Sequence, residues 1–339
     1  MIYLKCLNNA LRSILESDER VVLLGEDIVD PYGGAFKVTR GLSTSYPKRV
    51  ISTPVSEAAI AGVSAGLALS GFRPVLEYMF GDFTGLGFDQ IINHISKFKA
   101  MYANQVTCPV IIRTPMGGGR CYGPTHSQSL EKHFLGIPDF IVTAGSILHN
   151  PLDCLRTFLE GEMPVLFVEH KALYAQEMRL PVNNQIGFLD VEIYDSPLAV
   201  PTFCVRPVDR SLCKATIVAY GQTAGSLITV VEKLAVDHEV FVELVFVGQI
   251  SPMDWNPVIQ SGMYTGRIIV CEEGTSGWNW GSEVASELHR RLFGKLHCPI
   301  TCFSSAQSII PAAAHLEKEV LFNPEDVYHA VLKSLQCNQ

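Results

Sequence analysis

A two-domain α/β fold is predicted, each domain a mostly parallel sheet flanked by helices. Three observations predict it. Short apolar runs of strand length alternate with helix-length segments along most of the 339 residues. The runs are apolar throughout, as strands covered on both faces are. The alternation breaks once, between about 181 and 207, and then restarts. The expected boundaries are 1–180 for the first domain, 181–207 for a linker and 208–339 for the second. A chain of this length is long for one domain and comfortable for two.

The first 19 residues, MIYLKCLNNALRSILESDE, read as an amphipathic helix without a signal peptide's cleavage pattern. Residues 21–24 are the first strand, delivering Gly25, Glu26 and Asp27 at its C-terminal end, and DPYGG at 30–34 is loop. The second strand, 49–52, meets a Thr53-Pro54 break and enters a helix of Ala, Gly, Ser and aliphatics. Ser56 is its expected N-cap, with Glu57 in the first turn, where a carboxylate suits the helix dipole. Gly62 and Gly66 share one face with Ala58 a turn earlier, so another backbone can approach closely. This helix is expected to be buried on several sides, a subunit contact among them. Strands follow at 73–80, 109–114, 140–144 and 164–169, with a helix at 88–103 and a glycine-rich loop at 116–128. Beyond the linker come strands at 215–220, 240–247, 267–272 and 299–303, with helices at 225–235 and 281–293.

Composition narrows the function. A hydrophobic content of 47% predicts large buried interfaces, yet Gly, Pro or charge interrupts every candidate membrane span. A net charge of −8 without a sizeable basic cluster argues against nucleic acid. The ten cysteines are scattered, include no CxxC and read as reduced thiols, so a cytoplasmic location is expected. No metal-ligand spacing is present, and no metal site is expected on this chain.

The motifs are individually weak. GVSAG at 62–66 matches the GxSxG nucleophile elbow, but an elbow needs a strand directly before its serine, and Ser64 lies inside a helix. The glycines at 117–119 lack GxGxxG spacing and a following helix, and no P-loop motif occurs. His126, in GPTHSQSLE, follows a strand end, where α/β sheets bind ligands; a plain surface-loop histidine fits the same residues. Phe83 is either a core phenylalanine or a ring against which a ligand stacks. Glu57 is either a solvated first-turn acid or a site carboxylate. The residues alone leave all three open.

Read in order, GED with its following GG, RVISTPVSEAAIAG, RPVLEYMFGDF, DQIINHISK, IIRTPMGGG and GPTHSQSLE form one series. The series closely resembles the β subunit of the thiamine-diphosphate-dependent 2-oxoacid dehydrogenases. These are the first components of pyruvate, branched-chain and acetoin dehydrogenases, within the transketolase superfamily. The match is dense from Val21 to PVLFVEHKALY and looser through KATIVAYG and VCEEGTSGWNWGSEVASEL. It implies a transketolase-like pyrimidine-binding domain followed by a transketolase C-terminal domain. By matching position, it implies that Glu57 bonds the aminopyrimidine ring nitrogen of thiamine diphosphate. Val55 and Phe83 would lie against that ring, and His126 beside the substrate. Glu26 and Asp89 match acidic positions near the cofactor or between paired sites. A carboxylic acid at Glu57 can exchange a proton with the ring, while the cofactor supplies the electron sink.

The family's Mg²⁺-binding GDG motif is missing here. The resemblance therefore implies that a separate α subunit holds Mg²⁺ and the diphosphate, in an α₂β₂ heterotetramer with a β–β contact. It further implies oxidative decarboxylation of a 2-oxoacid, acyl transfer to lipoyl, and docking of a lipoyl acyltransferase core on the C-terminal domain. The chain departs from its relatives in places. Where they often carry an acid and Asn, a monovalent-cation site, it has Gly161 and Met163. The late segment ITCFSSAQSIIPAAAHLE lacks the usual Arg and Asp, and 181–207 is longer than the usual linker. These departures keep two alternatives in view. One is an acyl-transferring thiamine-diphosphate subunit of specialised metabolism that uses another acceptor. The other is a catalytically silent assembly subunit, against which the intact Glu57, Phe83 and His126 speak.

Overall fold

The computed structural model describes residues 1–196 and 200–336. Its first sheet is built from β1 (Val21–Glu26), β2 (Val50–Thr53), β3 (Arg73–Glu77), β4 (Ile111–Met116), β5 (Ile141–Ala144) and β6 (Val165–His170). These six are parallel, in the order β5-β6-β4-β3-β1-β2. Every residue of β1, β4, β5 and β6 is buried. Alternate side chains face opposite sides and both sides are covered, so such strands read as unbroken apolar runs.

The helices of this half are α1 (Tyr3–Ser17), the short α2 (Leu42–Ser45), α3 (Glu57–Leu69), the short α4 (Phe98–Met101) and α5 (Pro151–Glu160). Leu23, Val75, Ile111 and Phe167 share one apolar layer with Leu7, Leu11 and Ile14 of α1 and Leu155 and Phe158 of α5. Leu24, Leu76, Ile112 and Leu166 share the opposite layer with Ile60, Ala61 and Ala65 of α3. The helix expected at 88–103 is a π-helical turn, Gln90–Ile95, followed by α4, and a 3₁₀ turn at Gly81–Gly87 precedes both. Within this chain α3 is buried on one side only, because Ala58, Ala59, Val63, Gly66 and Leu69 are exposed. Ser56 makes no side-chain cap bond; its N–H instead donates to Glu26 Oε1 at 3.2 Å.

The second half contributes β7 (Gln185–Ile186), β8 (Leu189–Tyr194), β9 (Thr202–Arg206), β10 (Cys213–Tyr220), β11 (Phe241–Val247), β12 (Gln249–Ser251), β13 (Ile268–Thr275) and β14 (Thr301–Ser305). Around them lie α6 (Thr223–His238), α7 (Asn256–Thr265), α8 (Trp280–Leu292), α9 (Ala314–Val320) and α10 (Pro324–Ser334). The second sheet runs β14-β13-β10-β11-β9-β8-β7, parallel from β14 to β11 and antiparallel beyond. The stretch expected as a plain linker, 181–207, thus holds three strands of this sheet. β7 is two residues long and β8 has one face partly solvated, so neither shows the long apolar run of a central strand.

β12 leaves its own half and pairs antiparallel with β5, Gln249 opposite Thr143, as the last strand of the first sheet. The two domains are therefore interlocked. The centre of the first sheet is further tied by charge. Arg113 donates from Nε and Nη2 to Glu169 at 2.6 and 3.0 Å, and from Nη1 to Glu77 at 2.9 Å. The Tyr174 hydroxyl completes the set, donating to Glu169 at 2.6 Å. Removing one partner from a buried set of this kind costs about 3–5 kcal/mol, because the remaining charges stay buried.

Candidate active site

The parallel strands of the first sheet end on one edge. β1 has β2 on one side and β3 on the other, the reversal of order at which α/β sheets leave a crevice for ligands. Four of the residues singled out from the sequence stand at these strand ends. Glu26 closes β1, Glu57 follows β2, Phe83 follows β3 and His126 follows β4.

Glu57 is the first residue of α3 and is only 5% exposed. No donor among the described residues reaches its carboxylate. The bond at this residue is to its main chain, whose carbonyl accepts from the Tyr78 hydroxyl at 3.2 Å. Glu26 is buried beside it and takes the Ser56 N–H. Burial first, then the charge of Glu57, raises the Glu26 carboxyl above the ordinary range. Burial and the same two acids also push the Tyr78 phenol up, so it remains a donor. Gly87 packs on this corner, where a Cβ would collide with the Tyr78 hydroxyl. The reading of Glu57 as a solvated surface acid is excluded by this burial.

His126 stands edge-on to two rings, with centroids 4.6 Å from Phe80 and 5.3 Å from Phe83. Phe80 and Phe83 meet edge to face at 5.7 Å. Thr125 Oγ1 lies 3.0 Å from His126 Nδ1. The loop's end is tied to the Phe83 turn, since Gln128 Nε2 donates to Asp82 Oδ1 at 2.7 Å. The other oxygen of Asp82 is buried without a partner. Two candidates are not gathered into this corner. Val55 is 79% exposed, and Asp89 is a surface residue that accepts from Asn93 Nδ2 at 2.8 Å.

Sequence reasoning missed Tyr78, Phe80, Asp82 and Lys171. Lys171 follows β6, is fully buried, donates to the Pro115 carbonyl at 3.4 Å and lies 5.7 Å from the Phe80 ring. Burial pulls its ammonium down to about 8. The signal that would have found all four is the one that found Glu26, a polar or aromatic residue at a parallel strand's C-terminal end. A cleft of about 700 Å³ lies elsewhere, between residues 124–133 and the second domain, and neither Glu57, Phe83 nor His126 lines it. Among the described residues no group of three or more His, Cys, Asp or Glu could hold a metal ion, and no helix is long and apolar enough to cross a membrane.

A second acidic group stands where the domains meet. Glu131 accepts from the Tyr220 hydroxyl at 2.6 Å, and Glu272 accepts from the Gly281 N–H at 2.6 Å. Burial outweighs that N–H bond and, with the charge of Glu131, pushes Glu272 up to about 8. A carboxyl raised in the folded state binds its proton more tightly there than in the unfolded chain. Its stabilisation is therefore complete below the ordinary value of 4.5 and is lost as pH climbs to about 8. Glu272→Gln, a mimic of the neutral acid, is expected to flatten that decline. Denaturant midpoints at pH 5 and pH 8 measure it; an equal effect of the substitution at both would contradict the assignment.

Comparison with known proteins follows the same outline. The family model described as the transketolase pyrimidine binding domain matches residues 1–177, and the transketolase C-terminal domain matches 206–327. The chain is 32% identical to the pyruvate dehydrogenase E1 component subunit beta of Leifsonia xyli, covering 98% of this chain and 94% of that one. It is 32% identical to the 2-oxoisovalerate dehydrogenase subunit beta of Bacillus subtilis, over 98% and 97%. With the acetoin:2,6-dichlorophenolindophenol oxidoreductase subunit beta of Cupriavidus necator it shares 30%, over 97% and 96%. A solved structure described as a split gene transketolase, inactive beta4 tetramer, has the same fold, with a TM-score of 0.70 at 20% identity over 99% and 98% of the two chains. The chain belongs to the family of 2-oxoacid dehydrogenase E1 beta subunits, built from a transketolase pyrimidine-binding domain and a transketolase C-terminal domain.

Proposed function

We propose that this chain supplies the aminopyrimidine-binding half of a thiamine-diphosphate site that an α subunit completes. The reaction is oxidative decarboxylation of a 2-oxoacid with acyl transfer to lipoyl. One observation carries the reading: Glu57, only 5% exposed, receives no donor from its own chain at its carboxylate. Neither oxygen is sealed from solvent, so a ligand entering this corner can reach the carboxylate. An aminopyrimidine ring fits the corner, because it brings hydrogen-bonding nitrogen to the acid and an aromatic surface to Phe83. Thiamine diphosphate, when bound, supplies the nucleophilic carbon and the electron sink.

The chain's own part is narrower. Glu57 gives and takes a proton at its carboxyl oxygens, held in place by the helix start that Tyr78 and Glu26 anchor. Phe80, Phe83 and His126 wall the substrate side, and His126 Nε2 has no partner among the described residues. Mg²⁺ and the diphosphate fall to the α subunit, since this sequence lacks GDG. The open face of α3 suits that partner: a Cβ on Gly66 would meet nothing within 4 Å, and Val63 is exposed. The β–β contact and the lipoyl acyltransferase core are assigned to the second domain, in an α₂β₂ assembly, and a cytoplasmic location belongs to the same reading.

Reconstitution with an α subunit carrying GDG tests this. Reduction of an artificial electron acceptor is expected with a 2-oxoacid such as pyruvate or 2-oxoisovalerate, and only when thiamine diphosphate is present. A complex that binds the cofactor yet turns over no 2-oxoacid would make the chain a silent assembly subunit.

The monovalent cation is a separate matter. The Gly161 carbonyl already accepts from Arg73 Nη1 at 2.8 Å, so a guanidinium stands at an oxygen a cation would need. Hard cations prefer several oxygen ligands, and Gly161 and Met163 offer no side-chain oxygen. Melting temperatures in K⁺, Na⁺ and choline chloride at equal ionic strength are expected to coincide. A rise specific to K⁺ would show that a site survives on backbone oxygens.

A further inference from the structure

The loop that carries His126 leaves β4 and runs from Gly117 to Gln128. Its glycines answer to what packs on them. A Cβ on Gly117 would overlap the His170 ring, one on Gly118 would come 2.6 Å from Leu321 Cδ1, and one on Gly123 3.3 Å from Ala312 Cβ. Leu321 and Ala312 flank α9 on its two sides. Gly117, Gly119 and Cys121 have φ of +85°, +77° and +60°, while Gly118 and Arg120 between them do not. Such alternation gathers successive N–H groups into a concavity that binds an anion.

The second domain provides that anion. Gly119 N–H donates to Glu317 Oε1 at 3.0 Å and Cys121 N–H to Glu317 Oε2 at 3.1 Å. Gly118 N–H donates to Glu273 Oε1 at 2.8 Å, and the same oxygen lies 2.8 Å from His170 Nε2. Glu317, on α9, is buried, and Glu273 belongs to β13. From this anchor the loop leads directly to the site. The Tyr122 ring lies 6.0 Å from Phe80, the ring that packs 4.6 Å from His126. At the loop's base, Gly117 N–H closes onto the Gln128 carbonyl at 3.0 Å.

We propose that Glu317, with Glu273 beside it, is a positioning residue: its carboxylate fills the N–H concavity of the glycine loop and sets where His126 stands. The second domain thereby governs a side chain of the first domain's site. This rests on reading His126 as a substrate-side residue.

Glu317→Gln keeps the size of the side chain but turns an amide NH₂ toward N–H donors. In the purified full-length chain, hydrogen exchange over 117–123 is expected to quicken about 10- to 100-fold, the usual worth of a charge-assisted hydrogen bond, with β1 and β3 unchanged. In the complex reconstituted with an α subunit, kcat is expected to fall while KM for the cofactor holds, and Glu317→Asp to restore part of the loss. His126→Ala should absorb the effect: adding Glu317→Gln to it should lower kcat by less than about twofold, since the two act as one unit. Unchanged exchange over 117–123 overturns the anchor. Faster exchange with fully additive kcat losses in the double variant overturns its action through His126. Normal turnover of His126→Ala overturns the role of His126 itself, and is told apart because the exchange result is untouched by it.

Discussion

The chain on its own is expected to bind thiamine diphosphate weakly, to decarboxylate nothing, and to associate with itself. On the proposed reading the cofactor is held chiefly by its diphosphate and Mg²⁺ on the α subunit, and this chain has neither GDG nor, among the described residues, a metal-holding cluster. What it offers on that reading is the carboxyl of Glu57 and an aromatic contact at Phe83. A hydrogen bond involving a charged group contributes about 1.5–3 kcal/mol and a ring contact about 0.5–1.5. Their sum, roughly 2–4.5 kcal/mol, corresponds to dissociation constants around a millimolar or weaker. Self-association follows from the surface. Val63, Leu69, Phe72, Leu86 and Met101 are all exposed in the single chain, apolar side chains that a second copy can cover. Titration calorimetry with Mg²⁺ and sedimentation velocity measure both. Micromolar, Mg²⁺-dependent binding by the chain alone would overturn the two-subunit reading.

What could be read from the sequence, and what could not, follows from burial. The central strands announce themselves because both faces are covered, so VVLL, PVIIRT and PVLFVE carry an unbroken apolar signal. β12 carries none. It is three residues long, and only its pairing with β5, more than a hundred residues away, makes it a strand. β7 and β8 fail for a related reason: they are antiparallel and partly solvated, with a weaker pattern than the parallel core. In the site, the identities of Glu57, Phe83 and His126 came from ordered motifs resembling a family. Their neighbourhoods did not. The Glu26 contact with the Ser56 N–H joins the end of one strand to the helix after another, so no local pattern encodes it. Ser56 reads as a side-chain cap by propensity, yet its role is played by its N–H. The glycines at 117–119 read as a failed phosphate motif, and their reason lies some two hundred residues away, at Leu321 and Glu317.

Glu57→Gln is expected to remove most of the turnover of the assembled enzyme while leaving it assembled. The amide keeps the size of the acid and can still bond a ring, but it has no proton to exchange. General acid–base contributions run to about 10²- to 10⁴-fold, so turnover should fall by that order. Cofactor affinity should change little, because on the proposed reading the diphosphate is held by the partner. Folding should also survive. The start of α3 is tied by the Ser56 N–H to Glu26 and by the Tyr78 hydroxyl to the Glu57 carbonyl, and neither bond uses the altered side chain. The substitution also removes one of two adjacent buried acids, so the upward push that the Glu57 charge exerts on Glu26 should disappear. The variant should therefore be no less stable than the parent at neutral pH, which separates a chemical loss from a structural one. Steady-state decarboxylation with an artificial acceptor, together with hydrogen–deuterium exchange at the thiazolium carbon of the bound cofactor, reads the result. Near-normal exchange and turnover in a correctly assembled Gln variant would mean that the buried carboxyl at Glu57 is a packing feature of the helix start, and the proton-exchange role would have to be sought in another group.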